Sequence, residues 1–180
     1  MTTRGIRRKK STLTDLKIAV VGAPGVGKSA LIVRFLTKRY IGEYDHQTEN
    51  RYKHEALVDG EPILFEILDT CPKTDDEFPN ASELVQWADG LLLVYSITDR
   101  NTFNYIRKAK CDLQTDTPLQ LVANKVDMVH LRQVSRDEVV GERELCNVFV
   151  YVYVCGQIYC LCDYRCSTIC MEFRFSKRDK

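Results

Sequence analysis

No stretch of this 180-residue chain approaches the roughly 18 consecutive apolar residues that span a bilayer, and its N-terminus lacks the apolar core of a secretory leader. A cytoplasmic protein is therefore expected. Net charge is nearly absent as well. Lys and Arg number 26 against 25 Asp and Glu, a balance of +1 that gives no global case for nucleic acid as a partner. Cysteine is scarce where a disulfide framework would need it: only Cys71 and Cys111 precede residue 146, while Cys146, Cys155, Cys160, Cys162, Cys166 and Cys170 crowd residues 146–180. A secreted scaffold would be stapled along its whole length, so these thiols are read as a property of the tail. There is no internal repeat, no linker-like segment and no prenylation cysteine in residues 176–180, so no stable membrane anchor is expected.

What is present fits one globular domain, with 44% hydrophobic and 28% charged residues. Arg4, Arg7, Arg8, Lys9 and Lys10 make residues 1–15 a solvated basic tail, with binding to nucleic acid, nuclear entry or transient contact with an anionic membrane surface as the functional alternatives. Residues 16–21 form a short apolar run, a glycine-rich turn follows, and residues 30–40 carry Leu31, Ile32, Phe35 and Leu36 at helical spacing. Two runs over 52–68 break at Asp59 and Gly60, a hairpin signal. Residues 72–80 read as an acidic loop, and Ser82 as the cap of a short helix through Trp87. Residues 90–97 are continuously apolar, as in a strand buried on both faces; a helical stretch near 102–111 leads to another such run at 119–123. Strands alternating with helices predict an α/β fold over residues 16–155. Its sheet would be doubly wound, mostly parallel and six-stranded, with helices on both faces and ligands beyond the carboxyl ends of the strands.

Two motifs fall at those ends. Gly22, Ala23, Pro24, Gly25, Val26, Gly27, Lys28 and Ser29 satisfy G-x-x-x-x-G-K-[ST] between a predicted strand and a predicted helix. Such a loop curls its amides around phosphates, with Ala30 and the helix N-terminus behind them, Lys28 on the β and γ phosphates and the Ser29 hydroxyl on Mg2+. A plain glycine turn is the competing reading. The second motif, Asn124, Lys125, Val126 and Asp127, directly follows a buried strand. The Asp127 carboxylate would accept hydrogen bonds from N1 and the 2-amino group of guanine, which adenine cannot offer, while Asn124 and Lys125 would brace the phosphate loop and cover the base. A surface turn is the alternative here.

The residues from Lys17 to about Asp137 resemble a Ras-type small GTPase, and those from Val33 through Phe35 and Tyr40 to Tyr44 are similar to the branch of the Ras-related oestrogen-regulated growth inhibitor and its Ras-like relatives. The resemblance implies the Ras fold in a monomer, with GTP or GDP as ligand and Mg2+ as cofactor. It also implies effector and regulatory proteins meeting residues 41–52 and 70–82, loops that reorganise around the γ-phosphate. Asp69 and Thr70 match the family's Asp-Thr-Ala-Gly-Gln, which makes Asp69 the outer-sphere Mg2+ partner.

Departures from the family pattern are informative. Cys71, Pro72 and Lys73 follow Asp69 and Thr70. Pro72 has no N–H to give the γ-phosphate, and Lys73 stands where the family's catalytic glutamine orients water but has no acceptor for it. Counting from Tyr44 puts Gln47 at the position of the Mg2+-binding threonine and Thr48 one residue late, so either is the metal ligand. Pro24 removes one amide from the cradle. Past Asp137 the resemblance stops: residues 148–154 read as a strand, but no base-closing loop follows, and residues 156–180 form an atypical cysteine-rich segment. An alternative exon from about Val139 is one source of such a segment. Cys162, Cys166 and Cys170 recur every four residues, as buried thiols on one helix face would; Cys155, Cys160, Cys162 and Cys166 as zinc ligands, or an aggregation-prone tail, are the other readings. Three functions follow: a slow GTPase switch, a nucleotide-binding scaffold that does not hydrolyse, and an incomplete product with a damaged guanine site.

Overall fold

Ile18 to Val21 offer no polar side chain to solvent, and a strand of that kind is stable in the middle of a sheet. In the computed structural model, strand β1 (Thr14–Val21) occupies that position. The structure describes residues 14–39, 48–58, 60–72, 79–113 and 116–139, together with the backbone of 149–154 and 157–160. After β1 come helix α1 (Lys28–Thr37), strands β2 (Asn50–Val58) and β3 (Glu61–Asp69), helix α2 (Ala81–Trp87), strand β4 (Gly90–Ser96), helix α3 (Arg100–Leu113) and strand β5 (Leu119–Asn124). A 3-10 helix (Val126–Leu131) and strands β6 (Phe149–Val154) and β7 (Gln157–Cys160) complete the order.

The sheet runs β2-β3-β1-β4-β5-β6-β7. β3, β1, β4, β5 and β6 are parallel neighbours, and β2 and β7 add antiparallel edges. The doubly wound, mostly parallel sheet is as expected, but it has seven strands rather than six. Gln157–Cys160 pairs antiparallel with β6, with Val154 opposite Gln157 and Tyr151 opposite Cys160, so the first part of the cysteine-rich segment joins the sheet. Right-handed crossovers run from β1 towards β3 and from β4 the opposite way towards β5, which puts α1 and α3 on opposite faces. On one face Ile18, Val20, Phe65 and Ile67 are buried with Leu31 and Ile32 of α1; on the other Tyr95 lies 4.9 Å from Phe103 of α3, ring centre to ring centre.

Several boundaries move for local reasons. β1 begins at Thr14, inside the expected tail, because it pairs with β3 from Ile63 onward. α1 ends at Thr37 rather than near Tyr40, where Lys38 turns left-handed (φ 60°) and returns its N–H to the Arg34 carbonyl. Asn80, not Ser82, occupies the N-cap of α2; the Ser82 hydroxyl donates instead to Asn80 Oδ1 at 2.7 Å. α3 starts at Arg100, because the Asp99 carboxylate accepts the Asn101 N–H at 2.9 Å and caps the first turn. The tail at 1–13, the expected helix carrying Cys162, Cys166 and Cys170, and Cys155, Cys162 and Cys166 of the zinc alternative lie outside the described residues; Cys160, its fourth member, is the last residue of β7. Among the described residues no helix is long and apolar enough to cross a membrane.

Candidate functional site

The turn between β1 and α1 follows from its glycines. Gly25 and Gly27 hold φ of +73° and +93°, a region that side chains with a Cβ rarely enter. A Cβ on Gly27 would meet Asn124 Nδ2 at 2.6 Å, so a second motif residue packs directly on the loop. Val26, fully buried, anchors the turn to the core, while Pro24 and Gly25 face solvent at its tip. Ser29 and Ala30, half-buried, sit in the first turn of α1, whose amides point into the loop.

Lys28 is buried under this turn. Its Nζ donates to the carbonyls of Gly22 at 2.8 Å and Ala23 at 3.1 Å. Burial pushes the ammonium below its ordinary pKa, against the pull of the Asp69 carboxylate and, more weakly, Cys71. The cation is thus held in place by two phosphate-loop carbonyls. Asp69 ends β3 beside β1, opposite Val20, and is 3% exposed. Its Oδ1 is a buried oxygen to which no described residue donates a hydrogen bond. A magnesium ion fits this donor set: a hydroxyl at Ser29 and a carboxylate oxygen held out of solvent, both hard oxygen ligands. Thr70, which sequence reasoning left without a role, fastens the start of the next loop by donating its hydroxyl to the Val20 carbonyl at 2.8 Å. Pro72 is buried, and Thr48 is exposed just ahead of β2. Gln47 and Lys73, with residues 41–47 and 73–78 of the expected partner loops, lie outside the described residues.

The second motif meets the first across about half the chain. Asn124, at the end of β5, donates Nδ2 to the Val26 carbonyl at 2.8 Å, and Lys125 donates Nζ to the Gly25 carbonyl at 2.7 Å. Lys125 adopts a left-handed conformation (φ 60°), and this turns the chain into the 3-10 helix. Asp127 stands exposed in its first turn, and among the described residues nothing is hydrogen-bonded to its carboxylate. Bracing of the phosphate loop by Asn124 and Lys125 is therefore present in the geometry, with an open carboxylate beside it.

A model of the Ras family matches residues 17–154. The Ras-related and estrogen-regulated growth inhibitor of Bos taurus is 42% identical over 147 residues, which cover 79% of this chain and 72% of the relative; the Homo sapiens protein of that name matches to the same extent. The Ras-like protein family member 11A of Homo sapiens is 40% identical over 163 residues, covering 83% of this chain and 66% of the relative. A phosphate loop on β1, a buried acid at the end of β3, a base-side motif on β5 tied to that loop, and these matches together place the chain in the Ras family of small GTP-binding proteins.

Proposed function

We propose that the protein is a guanine-nucleotide switch with slow GTP hydrolysis. The observation that carries this reading is the pair of hydrogen bonds from Asn124 and Lys125 to the phosphate-loop carbonyls, which sets a base-reading segment against a phosphate-reading one. In this reading the amides from Gly22 to Ala30, Pro24 excepted, surround the β and γ phosphates, Lys28 neutralises them, and Asp127 selects guanine through two hydrogen bonds. Ser29 would hold Mg2+ directly, Asp69 through water, and Thr48 or Gln47 from the first loop. The ion supplies charge neutralisation on the phosphate oxygens. Partner proteins that sense nucleotide state would meet residues 41–52 and 70–82.

Slow hydrolysis rests on residue chemistry. Pro72 has no N–H, and Lys73 brings a cation without an acceptor, so an attacking water has no group to orient it. Catalysis is left to positioning and charge stabilisation. The nucleotide released from denatured protein, purified with Mg2+ throughout and resolved by ion exchange, tests the proposal. GDP together with substantial GTP supports it, GTP alone favours a scaffold that does not cycle, and folded protein without nucleotide overturns it.

Lys73→Gln alone is expected to recover little of the missing rate, less than about tenfold in single-turnover hydrolysis, because Pro72 still withholds the amide. Full recovery in that assay would place the whole defect on Lys73.

A further inference from the structure

The segment that carries Asp127 leaves and rejoins the body of the protein at one residue. Ile97, just after β4, donates its N–H to the Asn124 carbonyl at 3.2 Å, and its own carbonyl accepts from the amides of Gln133 at 2.8 Å and Val134 at 3.3 Å. Residues 124–134 thus form a loop closed at its neck on the two peptide groups flanking Ile97. Inside it, the Met128 N–H reaches the Lys125 carbonyl and the Arg132 N–H reaches the Val129 carbonyl, at 3.0 and 3.1 Å. Where such a loop holds its tip depends on how firmly its exit is fixed.

A side chain outside the loop fixes that exit. Arg100 is the first residue of α3, and its N–H, one of the helix's orphan donors, goes to Gln133 Oε1 at 3.1 Å. Its Nη2 donates to the Gln133 carbonyl at 2.6 Å, and Nη1 and Nη2 together grip the Glu138 carboxylate at 2.7 and 3.1 Å. Such a fork fixes orientation as well as distance. Glu138 is aligned in turn by its N–H, which donates to Ser135 Oγ at 3.2 Å and caps the short helical turn at 136–139. Val134 and Val139, between and beyond these contacts, are buried at 0% and 2% exposure, so the clamp closes over packed side chains.

We infer that Arg100 is a positioning residue for base recognition: by clamping Gln133 and Glu138 it fixes the exit of the 124–134 loop and so sets how long a bound guanine nucleotide stays. The inference rests on the reading of Asp127 as the base-selecting residue. The clamp's bonds go to Gln133 and Glu138 and not to Asp127 or the phosphate loop, so it tunes residence time and leaves base choice alone.

The test uses the full chain loaded with a fluorescent GDP analogue in Mg2+, chased with excess GDP in a stopped-flow instrument. Arg100→Met, which keeps the stem and removes the fork, is expected to release nucleotide about fivefold faster, with Arg100→Lys and Glu138→Gln in between. The preference for GDP over xanthosine diphosphate stays as in the parent. Backbone hydrogen exchange, read on the same proteins, should speed up within residues 125–134 and not in β1 or β4. An unchanged release rate in Arg100→Met overturns the inference, and so does exchange that accelerates uniformly, which would mark a general loss of stability. If the parent chain binds no nucleotide, the base-site reading fails, and exchange alone judges the clamp: acceleration confined to 125–134 upholds it, and no change overturns it.

Discussion

Asp127→Asn is expected to weaken GDP binding by about three orders of magnitude and to turn the preference towards xanthosine diphosphate. The carboxylate accepts from two donors on guanine, whereas an amide offers one acceptor and one donor, which suits the N1–H and the 2-oxo group of xanthine. The geometry favours a clean result. Asp127 is exposed in the first turn of the 3-10 helix, and no hydrogen bond to another described residue is lost when the carboxylate goes. Bracing of the phosphate loop by Asn124 and Lys125 also remains. Competition of the two diphosphates against a fluorescent nucleotide measures the ratio. Equal loss for both bases would show that Asp127 supports the loop and does not read the base.

The second large effect concerns stability. A Cβ on Gly22 would fall well inside van der Waals contact distance of the Val94 carbonyl oxygen on β4, and Val26 Cγ2 would stand 3.1 Å away on another side. A backbone carbonyl in a central parallel strand cannot swing aside as a side chain can. Gly22→Ala must therefore push the phosphate loop off β4 or bend the strand, at a cost of about 3 kcal/mol. That lowers Tm by roughly 6–12 °C for a chain of this size. Gly25→Ala is the control. It has no atom within 4 Å of the added Cβ, and only its φ of +73° opposes the change, costing about 1–2 kcal/mol. Thermal unfolding followed by circular dichroism, without added nucleotide, separates the two; an equal small loss at both positions would refute the crowding argument.

Much of this site was legible because each half of it is local in sequence. The strand, glycine turn and helix around Lys28 are contiguous, as are the strand and motif around Asn124, and parallel α/β topology brings strand ends to one edge. Asp69 was placed by the family resemblance of Asp69 and Thr70 at the end of an apolar strand. The join between the halves was legible only as bracing of the phosphate loop by Asn124 and Lys125; which loop carbonyls they meet was not. The Asn124 bond to the Val26 carbonyl spans 98 residues and the Lys125 bond to the Gly25 carbonyl spans 100, so the fold sets those partners. Arg100 went unnoticed for a related reason. An arginine at a helix start works against the helix dipole and reads as a surface accident until its partners, 33 and 38 residues on, are brought beside it. One local cue was available: Ser135 and Glu138 have the spacing of a capping box. The seventh strand escaped because Gln157–Cys160 is short and mixed in character, and its pairing is set by β6 rather than by its own pattern.

The place of β6 bears on synthesis. Every element that carries a nucleotide motif, from β1 to β5, precedes residue 149 in the chain, yet the outer edge of β5 finds its partner only in β6. A nascent chain stalled on the ribosome before that point would hold both motifs and an unpaired row of backbone donors and acceptors along β5, a template for any extended segment nearby. At ordinary elongation rates, translation from Asn124 to Cys160 leaves that edge open for roughly a few seconds. The uncharged run from Phe149 to Val154 then acts as the seal that ends this vulnerable interval, and a chain cut short before it would be retained by chaperones or lost to aggregation even though its nucleotide motifs are complete.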